Sequence, residues 1–414
     1  MQNPTERDQG VGLRAGAATS RLHRLSGWML AVVVLAAGLA VAELSLRAAG
    51  IAEPTVTSQY RVPHPVLGWA LEPGATYLNP LPEESVRVTY NSGGWRDVEH
   101  ETIKPPGTFR ILVLGDSFME AYSVGLEDAF HRRLEASLLA TGRKVEAINL
   151  GVAGYGTLQE YLVFREAGLT YSPDLVLLGF CLGNDLRNNS RELEARLGDD
   201  KIKLLSRPFL ADPSGTWEIT AIDVEAARRR YETALKKRGQ VLGRLYQRSS
   251  LLQLARSGAA RLLRGSVGGP GPEEFELAVH GVHYCRETLE YRRSWTVTAR
   301  ILARLRDEVR AAGAALAVFT APTQRESSRP HMESIRRLSP DPGRLCLDEA
   351  PGNQRLGSLL DELGISFIDL LPEFRRIGGS EQLFRNSDRH WNGRGHALAV
   401  ELVGAELERL DLLP

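Results

Sequence analysis

Beyond residue 108 the apolar positions follow a repeating rhythm. Short apolar runs at Arg110–Leu114, Val145–Leu150, Leu175–Cys181, Ala314–Thr320 and Ile365–Asp369 read as strands. Between them, helical spacing marks Asp128–Thr141, where Phe130, Leu134 and Leu138 share one face and Gly142 ends the run. Thr157–Ala167, Ser294–Ala312, Asn353–Leu363 and His396–Leu410 read the same way. The run LVLLGFC is apolar without alternation, as suits a strand covered on both faces of a parallel sheet. Strands alternating with helices predict an α/β layered fold with right-handed crossovers.

Two regions break the rhythm. Residues 190–290 read as a largely helical insertion, with a small hairpin around Asp212–Gly215, a charged helical stretch over Asp223–Leu263 and a Gly/Pro loop at 265–274. Its Arg228-Arg229-Arg230 run reads as a solvated helix face. Residues 50–108 are a Pro/Gly-rich accessory segment and linker, in which VTYNSGGWRD (88–97) predicts a strand and a turn. The main domain is then 109–414. No internal repeat is visible.

The N-terminus differs from everything after it. Gly27–Ala42 carries no charge, and Leu25 and Ser26 extend it to 18 residues, near the lower limit for a bilayer-spanning helix. Arg14, Arg21, His23 and Arg24 precede it. The positive-inside rule then keeps residues 1–24 in the cytoplasm and exports the bulk, leaving a single-pass inner-membrane protein anchored by residues 25–49. Ala40-Val41-Ala42 also fits a signal-peptide cleavage site. The long leader and the helix-like ELSLRAAG beyond the run favour the retained anchor, and both readings put the main domain on the periplasmic or extracellular side.

Composition narrows the partners. Lys+Arg 51 balances Asp+Glu 51, so no global basic field supports nucleic-acid binding. Three cysteines are too few for a dense disulfide framework. Cys181 ends an apolar run and reads as a buried thiol, while Cys285 and Cys346 can pair. No Cys/His cluster suggests a metal, and no cofactor is implied.

Candidate chemistry gathers at strand ends, where open α/β sheets bind their ligands. The first strand runs into GDSF and Ser117, which is either a nucleophile or part of a helix cap. The second runs into GVAGYG, whose small residues offer backbone N–H donors. The third runs into GND, where the Asn184 amide can face a developing oxyanion or form a turn. A serine needs a base, and the base an orienting carboxylate. NSDRHWNGRGH supplies Asp388 and His390 two residues apart; in an extended segment both point the same way. His396 reads as a packing or capping residue of the last helix.

In this order, GDS, the glycine loop, GND and a late Asp-x-His resemble the SGNH/GDSL hydrolase superfamily over roughly residues 85–410, outside the insertion. The resemblance implies a three-layer α/β/α sandwich. It also implies Ser117 as nucleophile, His390 as general base and Asp388 as its partner. The Ser117 N–H, Gly154 N–H and Asn184 amide become oxyanion donors. One departure stands out: the commonest family pattern is Asp-x-x-His, whereas DRHW is closer to the DHHW branch linked to O-acetylation of alginate and other polysaccharides. That branch often places its Asp-His pair before the serine, and here it follows. NSGGWRD and the apolar helix resemble membrane-anchored bacterial SGNH proteins.

These residues lead to an expected serine esterase or deacetylase, acting outside the inner membrane on an acyl ester such as one carried by an envelope polysaccharide. An SGNH-type O-acyltransferase is the first alternative. A non-catalytic carbohydrate-binding or envelope assembly protein is the second.

Overall fold

The computed structural model describes residues 12–48, 61–197 except 82 and 84, 206–229 except 213, 214 and 226, residues 232, 249 and 251, then 272–378 and 382–414. Most of the predicted 223–263 helical stretch, and all of the 265–274 loop except its last three residues, lie outside the described residues.

Helix α1 (Gly12–Ala48) runs unbroken through the apolar segment and past Glu43. Within it, Trp28–Leu46 has a mean hydropathy of 2.3 and none of it is buried. Its 19 residues rise about 28 Å, close to the hydrocarbon thickness of a bilayer. The helix is therefore long and apolar enough to cross a membrane.

The accessory segment forms two antiparallel hairpins, which the sequence reading resolved only in part. Strand β1 (Arg61–His64) pairs with β2 (Gly68–Leu71), and β3 (Thr76–Pro80) pairs with β4 (Ser85–Thr89). After β4, the Asn91 carboxamide oxygen accepts from the Gly93 and Trp95 N–H groups and closes the predicted turn.

The main domain is a five-stranded, wholly parallel sheet of β5 (Phe109–Gly115), β6 (Val145–Asn149), β7 (Leu175–Phe180), β8 (Ala315–Thr320) and β9 (Ser366–Ile368). The spatial order is β6-β5-β7-β8-β9. The chain leaves β5 to one side and later returns to its other side as β7, so the switch point of this doubly wound sheet lies at the carboxyl end of β5.

Alternation along β5 builds two cores. Ile111 and Val113 pack with α3 (Phe130–Ala140) and α13 (Gly393–Arg409) on one face. Leu112 and Leu114 pack with α4 (Thr157–Glu166), α8 (Leu289–Ala311) and α11 (Pro351–Glu362) on the other. This is the expected three-layer arrangement, with strands buried on both faces.

Boundaries moved where caps decide them. The Thr288 hydroxyl caps α8, so that helix starts at Leu289 rather than Ser294. The Asn392 side chain accepts from the Arg394 and Gly395 N–H groups, so α13 starts before His396. His396 instead buries its ring against Trp391. In the insertion, Leu210 bridges Ile219 as the hairpin predicts, although Pro213 and Ser214 at its tip lie outside the described residues. Arg228 and Arg229 are exposed, as a solvated face requires, and Arg230 lies outside the described residues. Cys181 is a buried free thiol, and Cys285 and Cys346 form a disulfide.

Candidate active site

Ser117 opens the four-residue helix α2 (Ser117–Glu120) directly at the switch point. The Asp116 side chain caps this helix by accepting from the Phe118 N–H at 2.9 Å. The sequence alternatives, cap or nucleophile, are thus divided between neighbours: Asp116 makes the cap, and Ser117 is left to face the late loop. Its Oγ lies 2.7 Å from His390 Nε2.

Asp388 completes the row, with Oδ2 3.3 Å from His390 Nδ1. The contact forms differently from the sequence expectation. The segment is not extended: Asp388 sits in a turn, and Arg389 adopts φ +64°. The His390 N–H then donates to Asp388 Oδ1 at 3.1 Å, and the Arg385 N–H to the His390 carbonyl at 2.8 Å. A short Asp side chain can bond the backbone two residues on, and this fold-back brings carboxylate and imidazole together where strand alternation does not.

Aromatic rings fix the imidazole. Phe118 and Tyr122 each lie 5.1 Å from it, centroid to centroid. The Tyr122 hydroxyl stands 3.5 Å from Nδ1, on the same nitrogen that Asp388 approaches. Trp391 is fully buried behind Phe118, and its indole N–H donates to the Pro322 carbonyl at 2.9 Å. Burial alone would lower the pKa of His390. The Asp388 hydrogen-bonding interaction and charge, helped by the charges of Asp116 and Glu120, outweigh burial and raise it.

Asn184 follows β7, and its Nδ2 donates to Asp116 Oδ2 at 2.7 Å, while Arg187 donates to its Oδ1 at 3.0 Å. These two bonds fix the amide with nitrogen toward the serine turn. Gly154 lies in the loop after β6. The preceding N–H, of Ala153, donates to Glu120 Oε2 at 2.6 Å, which ties that loop to the end of the serine helix. His390 therefore touches Ser117 through one ring nitrogen and Asp388 through the other, Asn184 is joined to the serine turn through Asp116, and Gly154 through Glu120.

Several residues of the site were not singled out from the sequence. Arg96, buried within NSGGWRD, donates to the Glu120, Ala121 and Val124 carbonyls and holds the end of α2. Asp97 accepts the Asn149 N–H at the end of β6 at 2.8 Å and contacts His131 and His100, each at 3.2 Å. Burial would raise the pKa of Asp97, but these two imidazoles hold it well below the usual carboxylate range. The Tyr90 hydroxyl donates to Glu120 Oε1 at 2.8 Å. The sequence signal for this bracing was NSGGWRD, whose first four residues read as a turn and whose Arg96 and Asp97 carried no role of their own. Among the described residues, no group of three or more His, Cys, Asp or Glu side chains could hold a metal ion.

Residues 284–413 match a family model described as ALGX: SGNH hydrolase-like domain, acetyltransferase AlgX. The match includes Asp388 and His390 and leaves out Ser117, Gly154 and Asn184. No curated protein matches the sequence. Similar solved structures include the acetyl xylan esterase AlAXEase, at 11% identity and TM-score 0.36, covering 72% of this chain and 100% of that one. The esterase EstA from Pseudoalteromonas sp. has 12% identity and TM-score 0.36, with 73% and 97% covered. The acetylxylan esterase Axe2 from Geobacillus stearothermophilus has 11% identity and TM-score 0.36, with 72% and 94% covered. Residues 284–413 are thus similar to an SGNH hydrolase-like domain, and they join a sheet whose strand ends carry GDS, GVAGYG and GND in that order.

Proposed function

We propose that the chain is a serine ester hydrolase whose nucleophile is Ser117. The observation that carries this reading is the 2.7 Å contact between Ser117 Oγ and His390 Nε2, with Asp388 behind the imidazole. His390 takes the hydroxyl proton as Oγ attacks an ester carbonyl. Asp388 holds the tautomer with its proton on Nδ1 and stabilises the imidazolium that forms. The Ser117 and Gly154 N–H groups and the Asn184 amide receive the developing oxyanion. The C–O bond to the alcohol then breaks, and the imidazolium returns its proton to the leaving oxygen. Water attacks the acyl-serine in the second half, again through His390.

An acyl-serine can also pass its acyl group to a sugar hydroxyl. That second reading, an O-acyltransferase, is favoured by the description of the family model that matches the segment carrying Asp388 and His390. The Ser…Asp…His order of the chain favours hydrolysis. The apolar helix supports an anchored enzyme whose catalytic domain lies outside the inner membrane, which makes acyl esters on envelope polysaccharides the substrate class to test first.

The deciding experiment uses the full-length chain in detergent with p-nitrophenyl acetate. Wild type is expected to release p-nitrophenol well above background, and Ser117→Ala to fall to background. Equal background rates for both refute the esterase reading and leave acyl transfer and the non-catalytic carbohydrate-binding role. Added oligosaccharide separates the two catalytic readings: acetylated sugar points to transfer, and acetate alone to hydrolysis.

A further inference from the structure

An oxyanion donor must be an N–H with no partner of its own, held in a fixed direction. In the loop after β6 the Gly154 N–H meets this description between two bound neighbours. The Ala153 N–H is bound by Glu120, and the Tyr155 N–H donates to the Val152 carbonyl at 3.1 Å. The Ala153 carbonyl accepts from Arg61 Nη2, and the Gly154 carbonyl accepts from Arg207 Nη2 at 2.8 Å. Among the described residues, the Gly154 N–H alone of these neighbouring groups has no acceptor. In a trans peptide the C=O and the following N–H point in opposite directions. Fixing the Ala153 carbonyl on Arg61 therefore turns the Gly154 N–H away from the guanidinium. Gly154 has φ +80°, a conformation a glycine adopts without strain and one open to reversal unless something holds it.

The two arginines come from segments far apart in the primary structure. Arg61 begins the first accessory hairpin, and Arg207 lies in the insertion. Both guanidinium groups stand over the Trp69 ring, at 5.3 and 5.1 Å from its centroid. Trp69 is fully buried, and its carbonyl accepts from the Tyr155 hydroxyl. Arg207 Nη1 also donates to the Gln159 side chain in α4. Backbone contact locks the two segments together: Gly68 has φ +86°, and a Cβ there would stand 1.8 Å from the Ser206 carbonyl oxygen. The SGNH-like sheet supplies the loop, while segments outside it supply the groups that hold the loop's carbonyls.

We propose that Arg61 and Arg207, stacked on Trp69, are positioning residues that aim the Gly154 N–H into the oxyanion hole, so that the accessory hairpin and the insertion form part of the catalytic apparatus. This rests on the serine hydrolase reading. Arg61→Met keeps an apolar stem over Trp69 and removes the donors, and Arg207→Met does the same for the second carbonyl. Arg61→Lys restores one donor without the planar fork.

The assay measures p-nitrophenyl acetate turnover by full-length protein in detergent, together with inactivation by diethyl p-nitrophenyl phosphate, whose phosphoryl oxygen occupies the same hole. Loss of a whole oxyanion donor costs about 10²–10³ in rate. Loosening one is expected to cost about 10–100-fold in kcat for each Met variant, with KM within about twofold, Tm near wild type and inactivation slowed in parallel. Arg61→Lys should fall between, and it decides the matter if Arg61→Met does not fold. Wild-type kcat in a folded Arg61→Met or Arg61→Lys, or a loss carried by KM while inactivation keeps its rate, overturns the proposal. The serine reading fails by a different result, equal rates for wild type and Ser117→Ala.

Discussion

Replacing Asp388 with Asn keeps the shape of the site and removes one charge. In wild type, Oδ2 lies 3.3 Å from Nδ1, and both side chains are mostly buried, at 13% and 18% exposed. At an effective dielectric of about 20, unit charges that far apart attract by roughly 5 kcal/mol. Burial of the imidazolium offsets part of this, so about 3–5 kcal/mol of transition-state stabilisation depends on the carboxylate. At 1.36 kcal/mol per tenfold, kcat should fall by about 10²–10⁴. Asparagine adds a second defect. Its amide can donate to Nδ1, which moves the imidazole proton to Nε2 and leaves nothing to accept the Ser117 proton. Asp388→Ala lacks that donor, and the Tyr122 hydroxyl 3.5 Å from Nδ1 can accept its proton. The alanine variant is therefore expected to retain more activity than the asparagine variant. The pH profile gives an independent check. The pKa of His390 is raised above 6.5, so wild-type kcat/KM should rise along an acid limb centred above that value as the base loses its proton. Removing Asp388 takes away what raises it, and the limb should move to lower pH. The assay is p-nitrophenyl acetate hydrolysis from pH 5 to 9. Activity within fivefold of wild type in Asp388→Asn, with an unmoved limb, would refute the role given to Asp388.

Two further outcomes follow from the same structure. Asn184→Ala removes one oxyanion donor and should lower kcat by about 10²–10³ with little change in KM; a loss under threefold would take Asn184 out of the hole. Reducing Cys285–Cys346, which are 61 residues apart in sequence, should lower stability by up to about 4 kcal/mol on loop-closure grounds. Thermal unfolding with and without dithiothreitol measures this, and an unchanged Tm would show that the bridge constrains little.

The sheet was legible because its strands are buried on both faces. Val113 and Leu177 face one core while Leu112 and Leu178 face the other, so the Ile111–Leu114 and Leu175–Leu178 runs are apolar throughout and stand out against their flanks. The meeting of Ser117, His390 and Asp388 was legible because they follow strand ends or precede the last helix. What failed was local geometry that depends on one side chain. The caps Thr288 and Asn392 moved two helix starts, and Asp388 folds back onto the His390 N–H where strand alternation had been assumed. The accessory hairpins were obscured because β1, at four residues, carries a proline and is only half-buried, so its alternation gives no signal.

The residues hardest to read from sequence were the buried charges. Arg96, Asp97 and Glu120 look like surface residues by type, yet all three are nearly inaccessible and tied into the backbone of the site. A buried ion is costly unless partners satisfy it, and here the partners are mainly main-chain groups at the ends of α2 and β6. Such pairings leave no periodicity, because they join turns that are distant in sequence. They also fix the direction of main-chain carbonyls and N–H groups, which is the one thing an oxyanion hole requires and the sheet alone does not provide. Arg61 and Arg207 extend the same device from outside the sheet to the Ala153 and Gly154 carbonyls. In this fold the parallel sheet brings Ser117 and His390 together, and buried charges outside it hold the neighbouring peptides, which on the proposed hydrolase reading meet the developing negative charge.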